Sequence, residues 1–342
     1  MRSEDAEILL SASSVNVPAT YMGVSSIRTP SSPLLSVGTV RTWDYMGAPS
    51  GNNPCVIKYI NPTTAGVYDW TTFDLLLTSN PTQDVIVTLG QPADWMITRA
   101  ALGGAVYGGK ANMCPTGATE LGNYLPCITA MVERAKNTHG RTGLKWELWN
   151  EIEGPGMLAN AELSALGPYA RQVYQAIKAV DPTAVVMSPS ARDHDTAFLI
   201  GDFLNRSDGI GGFARSWVDA IAWHFYGLDE PWTYAHTVET YRNELVRGGL
   251  SASVPIYVTE SGTLTGAPEF GVKLQRRAIV YAALGMKCFL AYAYDYATEP
   301  ISSEATYWND VASWLPGSTI TSCIKLSDGR VRVIANGVTR TY

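Results

Sequence analysis

What most constrains the fold of this 342-residue chain is an alternation. Apolar runs rich in β-branched and aromatic residues recur at 21–28, 37–44, 84–95, 144–151, 184–191, 218–227, 255–262 and 288–296. Runs of this kind, bounded by turn residues, read as buried strands. Between them lie stretches with helical spacing, at 70–80, 121–140, 162–182, 196–206, 237–250 and 271–286. Strands alternating with helices call for a parallel sheet, and eight of them for a closed (β/α)8 TIM barrel rather than an open sheet. No glycine fingerprint follows the first run, which argues against a dinucleotide fold and its cofactor.

The barrel is expected over 18–317. Two segments fall outside it. Residues 318–342 read as short strands around a Ser327-Asp328-Gly329 turn and an Asn336-Gly337 turn. That β-rich appendage is too small to stand alone, so it should pack on the barrel flank together with the N-terminal segment 1–17. Residues 45–70 and 98–120, rich in Gly, Asn and Pro, are expected to be loops that shape a cleft.

The charge balance is mild: 25 basic and 31 acidic residues give a net charge of −6. With no cluster of Lys or Arg, a nucleic-acid or membrane-surface partner is not expected, and no apolar span is long enough for a transmembrane helix. The four histidines, His139, His194, His224 and His236, show no ligand spacing, so no metal is expected. The Asp193-His194-Asp195 triplet reads as a solvated loop, because consecutive side chains diverge. Five cysteines show no paired spacing. Cys114 and Cys127 flank a loop and either close a disulfide or remain free thiols.

Two of the runs end in carboxylates. LKWELWNEIE (144–153) breaks off at Asn150-Glu151, just before Gly154-Pro155-Gly156, and PIYVTESG (255–262) ends in Glu260-Ser261-Gly262. In a parallel barrel every strand delivers its C-terminal residues to the same edge, where catalytic groups sit. One carboxylic acid and one carboxylate across a glycosidic bond are what its hydrolysis requires, about 5–5.5 Å apart in retaining enzymes and about 6.5–9.5 Å apart in inverting ones. The fourth and seventh strands face each other across a narrow barrel, which favours the shorter spacing. Period-two alternation would put Glu260 on the face of Val258 and Ile256. Glu147, of the same parity as Glu151 but deeper, reads as a buried structural carboxylate, a partner for Arg41. Glu153 is the rival acid on the same loop. Ten Trp and 18 Tyr supply rings suited to stacking on sugar faces.

Trp149-Asn150-Glu151 after one strand and Val258-Thr259-Glu260-Ser261-Gly262 after a later one resemble the acid/base and nucleophile motifs of clan A glycoside hydrolases. The similarity is greatest to family 39 and its exopolysaccharide-hydrolase-like relatives. VRTWD (40–44), TLGQPADW (88–95), AWHFYG (222–227) and YWNDVASWLPGSTITSC (307–323) extend it over nearly the whole chain. The resemblance implies Glu151 as acid/base, Glu260 as nucleophile and Asn150 as a donor to the sugar 2-hydroxyl, with Arg41, His224 and Tyr226 around the nucleophile. Arg41 beside Glu260 would favour the ionised carboxylate, whereas an acid/base must hold its proton. Trp43, Asp44 and Trp95 are candidate subsite residues. Tyr294 stands where clan A members usually place a Trp, a departure that bears on the substrate more than on the mechanism.

The resemblance points to a retaining glycosidase, endo-acting on a bacterial exopolysaccharide or similar polysaccharide. An exo-acting, xylosidase-like β-glycosidase and a carbohydrate-binding barrel without catalysis are the alternatives. The first residues, MRSEDAEILLSASS, lack the basic start and long apolar stretch of a secretory signal. An extracellular, periplasmic or phage-particle setting is nonetheless expected from the substrate class.

Overall fold

The computed structural model describes residues 7–25, 37–42, 57–61, 63–102, 110, 112–153, 158, 160–192, 194–226, 231–262, 270–292 and 305–342. The chain opens with β1 (Ile8–Ser11) and β2 (Val15–Asn16). Eight strands then build the barrel: β3 (Met22–Ser25), β4 (Thr39–Thr42), β5 (Asp84–Thr88), β6 (Lys145–Glu147), β7 (Val185–Met187), β8 (Ile221–Tyr226), β9 (Ile256–Gly262) and β10 (Phe289–Ala291). They pair in parallel in chain order, and β10 returns to β3. A parallel bridge between Met187 and Ala220 closes the remaining seam, from β7 to the residue before β8. The expected (β/α)8 barrel is the observed fold.

Helices α1 (Ile57–Ile60), α2 (Thr71–Ser79), α3 (Gly117–Glu133), α4 (Leu166–Val180), α5 (Phe198–Leu204), α6 (Pro231–Arg247), α7 (Phe270–Ala283) and α8 (Ala305–Ala312) accompany the strands. In α4 the buried set Leu166, Tyr169, Ala170, Val173 and Ile177 follows the 3.6-residue period. Asp181 then accepts bonds from Thr183 N and Gly143 N, and Pro182 stops the helix. Helix α3 starts four residues earlier than its periodicity suggests. The Glu120 carboxylate accepts from Thr116 N at the helix entrance and from Thr98 N and Arg99 N, so a Gly-containing turn that reads as loop is held helical.

Two apolar layers result. The larger fills the space between strands and helices, with Val40, Val87, Trp146, Val186, Trp223, Val258 and Phe289 turned outward. A small inner cluster of Ile86, Met187, Ala220, Ala222, Cys288 and Leu290 plugs the barrel, joined by Val185 and Tyr257. Polar residues stand one pleat further along these same strands: Thr88 after Ile86, Glu147 after Lys145, His224 after Ala222. The inner cluster, with Lys145 over the Tyr257 ring, is therefore a floor beneath a polar layer at the C-terminal edge.

Strands β11 (Thr319–Lys325), β12 (Val331–Ala335) and β13 (Val338–Thr341) form an antiparallel sheet with β1 and β2. Its β12–β13 turn places Asn336 at φ 49° and Gly337 at φ 77°, as a two-residue hairpin requires. Trp314 stacks on Tyr342 and donates to its hydroxyl at 2.8 Å. Arg276 of α7 donates to the Tyr342 carbonyl at 3.2 Å, which ties this sheet to the barrel flank.

Cys114 and Cys127 are separate, buried free thiols. Burial pushes the Cys127 thiol up to about 12. Of the two sequence alternatives, free thiols hold. Among the described residues no helix is long and apolar enough to cross a membrane.

Candidate active site

Arg41, from the inner face of β4, is fully buried and organises the polar layer. Its Nε donates to Glu147 Oε2 at 2.6 Å and its Nη2 to Glu147 Oε1 at 2.9 Å, a bidentate pair. Nη1 donates to Glu260 Oε1 and, at 3.1 Å, to Ser25 Oγ on β3. Nη2 also reaches Asn150 Oδ1 at 2.7 Å. One guanidinium thus holds residues from β3, β6, β9 and the segment after β6.

Tyr226 at the end of β8 donates its hydroxyl to the other oxygen of Glu260 at 2.5 Å. Desolvation and the adjacent Glu260 carboxylate push the Tyr226 phenol well above its ordinary value, which keeps it a donor. His224, two residues earlier and fully buried, places Nδ1 3.0 Å from Glu151 Oε1 and 3.5 Å from Glu260 Oε2. Its Nε2 lies 4.0 Å from Glu147 Oε1. Burial, reinforced by Arg41, outweighs the carboxylates and lowers His224 to about 4, so its imidazole is neutral at neutral pH. The sequence reading placed His224 around Glu260; in the structure it stands nearer Glu151.

Glu151 arrives by an unusual backbone route. Strand β6 ends at Glu147, Leu148 and Trp149 both turn outward into the helix layer, and Glu151 sits at φ 40°. A non-glycine residue in the left-handed region costs about 1–3 kcal/mol and persists where its surroundings hold it. Ser190, after β7, does the holding. Its Oγ accepts from Glu151 N at 3.0 Å, its amide donates to Trp149 O at 2.9 Å, and its carbonyl accepts from Ile152 N at 3.2 Å. At the tip of β5, Gly90 takes φ 103°, and a Cβ there would stand 3.1 Å from the Trp149 ring, closer than ordinary contact. A side chain at that position would press on the Trp149 ring and strain the backbone.

Glu260 also departs from the pattern expected of it. Ile256 and Val258 belong to the outer layer, while Tyr257 packs with the inner cluster. Simple alternation would therefore point Glu260 outward. Strand β9 instead carries an extra residue: Trp223 pairs with Val258 but His224 pairs with Glu260. The same slip appears against β10, where Phe289 pairs with Val258 and Ala291 with Ser261. This bulge at Thr259 returns Glu260 to the interior. The expected inward direction holds, and the expected reason does not.

A carboxylate oxygen of Glu151, one of Glu260 and a ring nitrogen of His224 lie within 4.8 Å of one another. Three such donors are a geometry in which a divalent ion fits, although the spacing of the histidines gave no hint of one. Both Glu260 oxygens, however, already accept bonds, one of them from a guanidinium whose charge opposes a second cation. The donor set suits proton transfer and nucleophilic attack better than ligation. Glu153 is turned to other work, accepting from Arg192 N and, at 2.9 Å, from the Thr196 hydroxyl.

Of the residues singled out in the sequence, Arg41, Asn150, Glu151, His224, Tyr226 and Glu260 are brought together. Trp95 is not part of this network: it is half-buried, with its indole N–H spent on Asn61 O at 2.9 Å. Trp43, Asp44, Tyr294 and Asp193 lie outside the described residues. Glu147 takes the expected bond from Arg41. Ser25 and Ser190 are not legible in the sequence, since a serine at a strand tip carries no signal until its neighbours are known.

The fold has solved counterparts. A monomeric beta-xylosidase from Caulobacter crescentus CB15 superposes with a TM-score of 0.63 over 94% of this chain and 74% of that chain, at 17% identity. A family 39 glycoside hydrolase from the gut symbiont Bacteroides cellulosilyticus WH2 gives 0.62 over 94% and 69%, at 15% identity. The catalytic domain of GH30 xylanase C from Talaromyces cellulolyticus gives 0.57 over 96% and 86%, at 11% identity. No family model matches the sequence, and no curated protein matches it. At these identities the likeness is one of fold.

Proposed function

We propose that this protein is a retaining glycoside hydrolase acting on a polysaccharide, with Glu260 as nucleophile and Glu151 as general acid and base. The observation that carries the reading is the Glu151–His224–Glu260 grouping within 4.8 Å at the C-terminal edge of the barrel. That proximity suits the about 5–5.5 Å spacing of a retaining pair and leaves little room for the attacking water of an inverting one. Solved neighbours whose names include beta-xylosidase and xylanase support the same class.

Glu260 attacks the anomeric carbon. Arg41 and Tyr226 hold its two oxygens and fix their direction, so little orientation is left to be found during the reaction. Glu151 gives its proton to the leaving oxygen, a covalent glycosyl-enzyme forms, and Glu151 then activates the water that releases it. Neutral His224 serves both halves. With its proton on Nδ1 it donates to Glu151 Oε1 at 3.0 Å, which leaves the other carboxyl oxygen of Glu151 to carry the proton given to the leaving oxygen and later taken from water. Asn150, held through its Oδ1 by Arg41 and next in sequence to Glu151, is the candidate donor to the sugar 2-hydroxyl.

Endo action on an exopolysaccharide outside the cytoplasm is the finer part of the proposal, resting on the long 45–70 and 98–120 segments and on the family resemblance. An exo-acting β-glycosidase is the runner-up, favoured by the xylosidase among the solved neighbours. Incubation with a panel of bacterial exopolysaccharides and xylans, with NMR of the first-formed anomer, tests both levels. Retained configuration and mixed oligomers are expected. An inverted product would reject the Glu151–Glu260 assignment, single-sugar release would favour exo action, and binding without product would favour a carbohydrate-binding barrel.

A further inference from the structure

We infer that Arg277, on the opposite side of the barrel wall from the carboxylates, is a positioning residue for Glu260; the inference rests on Glu260 being the nucleophile. Arg277 lies in α7 and is fully buried. Its Nη1 donates to Ser261 Oγ and to Gly262 O, both at 3.0 Å. Those are the two residues that directly follow Glu260. The guanidinium also lies over the Phe225 ring, 4.9 Å from its centroid, and 5.4 Å from that of Tyr234. Phe225 stands between His224 and Tyr226, so Arg277 touches both strands that frame the site.

The placement answers a problem that the bulge creates. A strand carrying one residue more than both neighbours has lost regular ladder pairing at the point where it must aim a side chain. Reversion of β9 to simple alternation beyond Thr259 would turn Glu260 outward. Pairing with β8 from His224 to Tyr226 resumes beyond the bulge, and two contacts brace it from the other sides: Tyr292 N donates to Ser261 O at 2.9 Å, and Arg277 takes Ser261 Oγ and Gly262 O. Gly262 lets Tyr292 and Tyr226 close in on this turn of the chain, since a Cβ there would stand 3.2 Å from Tyr292 O and 3.4 Å from the Tyr226 ring. A guanidinium among aromatic rings is costly to desolvate, and an apolar side chain would fill the same volume. Two hydrogen bonds from its Nη1 to the residues after Glu260 explain why an arginine is there. It braces the segment in the register His224↔Glu260, Phe225↔Ser261, Tyr226↔Gly262.

The test compares wild type with Arg277→Met, Arg277→Lys and Ser261→Ala on activated aryl glycosides. Melting temperature is followed alongside, as is the rate of covalent trapping by a matching 2-deoxy-2-fluoro glycoside. Misplacement by about 1 Å costs roughly 10²-fold, so Arg277→Met should lower kcat and the trapping rate together by about that factor, with KM nearly unchanged. Arg277→Lys should recover part of the loss. Ser261→Ala, which keeps the arginine, should slow trapping with little change in melting temperature, and it carries the test if Arg277→Met does not fold. A lowered melting temperature with trapping within twofold of wild type would reduce Arg277 to packing and overturn the inference. If the wild type cleaves no glycoside, the functional reading fails instead. Crystal structures of the wild type and Ser261→Ala then decide: Glu260 drawn away from Tyr226 and Arg41 upholds the positioning role, and an unmoved Glu260 rejects it.

Discussion

Arg41 and Glu147 form a fully buried, two-bond ion pair, 2.6 Å from Nε to Oε2 and 2.9 Å from Nη2 to Oε1, beneath the residues assigned to chemistry. Glu147 ends β6, and both of its oxygens are taken by Arg41. Its work is to fix the guanidinium that in turn holds Glu260 and Asn150.

Removing one partner of such a pair leaves a buried charge poorly compensated, at a cost of about 3–5 kcal/mol. Glu147→Ala should therefore lower unfolding free energy by that order, and Glu147→Gln by less, since an amide oxygen still accepts one bond. Urea unfolding at pH 7 measures both. A loss below about 1 kcal/mol for Glu147→Ala would mean that Ser25, Asn150 and Glu260 suffice to hold Arg41.

The two assigned glutamates should respond differently to truncation. Glu260→Ala should abolish turnover, and added azide or formate should restore part of it with inverted configuration by occupying the emptied space. Glu151→Ala should spare substrates with very good leaving groups, which need no proton. Identical behaviour of the two variants on activated substrates would overturn the division of roles.

His224 predicts a pH dependence of stability. Burial lowers it from 6.5 to about 4 in the folded protein. Between these values the unfolded chain binds a proton that the folded one excludes, so stability rises with pH. The contribution is complete above about pH 6.5 and is lost as pH falls toward 4, at up to about 1.4 kcal/mol per pH unit. His224→Gln should flatten the stability curve by up to one proton over that window relative to wild type. Parallel curves for the two proteins from pH 4 to 6.5 would contradict the neutral assignment.

Tyr226→Phe keeps the ring and removes only the donor to Glu260. A hydrogen bond to a charged group is worth about 1.5–3 kcal/mol, so a fall of roughly 10–100-fold in kcat is expected. Glycosylation, read by covalent trapping, should carry the change. An unaltered trapping rate would place Tyr226 outside the chemistry.

Much of this molecule can be read from its sequence because a parallel barrel reduces three dimensions to an order. Once eight apolar runs alternate with helices, every run ends at the same rim, and Asn150-Glu151 and Glu260 are brought to one edge by topology alone. Arg41, His224 and Tyr226 join them for the same reason. What the sequence could not decide was the local path. Period-two parity holds only while the ladder is unbroken, and β9 breaks it at Thr259, with the register slipping against both neighbours. Glu151 reaches the interior through a left-handed backbone that no residue near it favours; Ser190, 39 positions away, holds it there. The choice of His224 as neighbour to Glu151, the grip of Arg41 on three strands and the clamp of Arg277 behind Glu260 are likewise contacts between distant segments. Pattern and propensity act over a few residues, so they settle which elements form and where each one ends. The direction of a side chain at a strand tip depends on hydrogen bonds from other strands, and only the folded barrel supplies them.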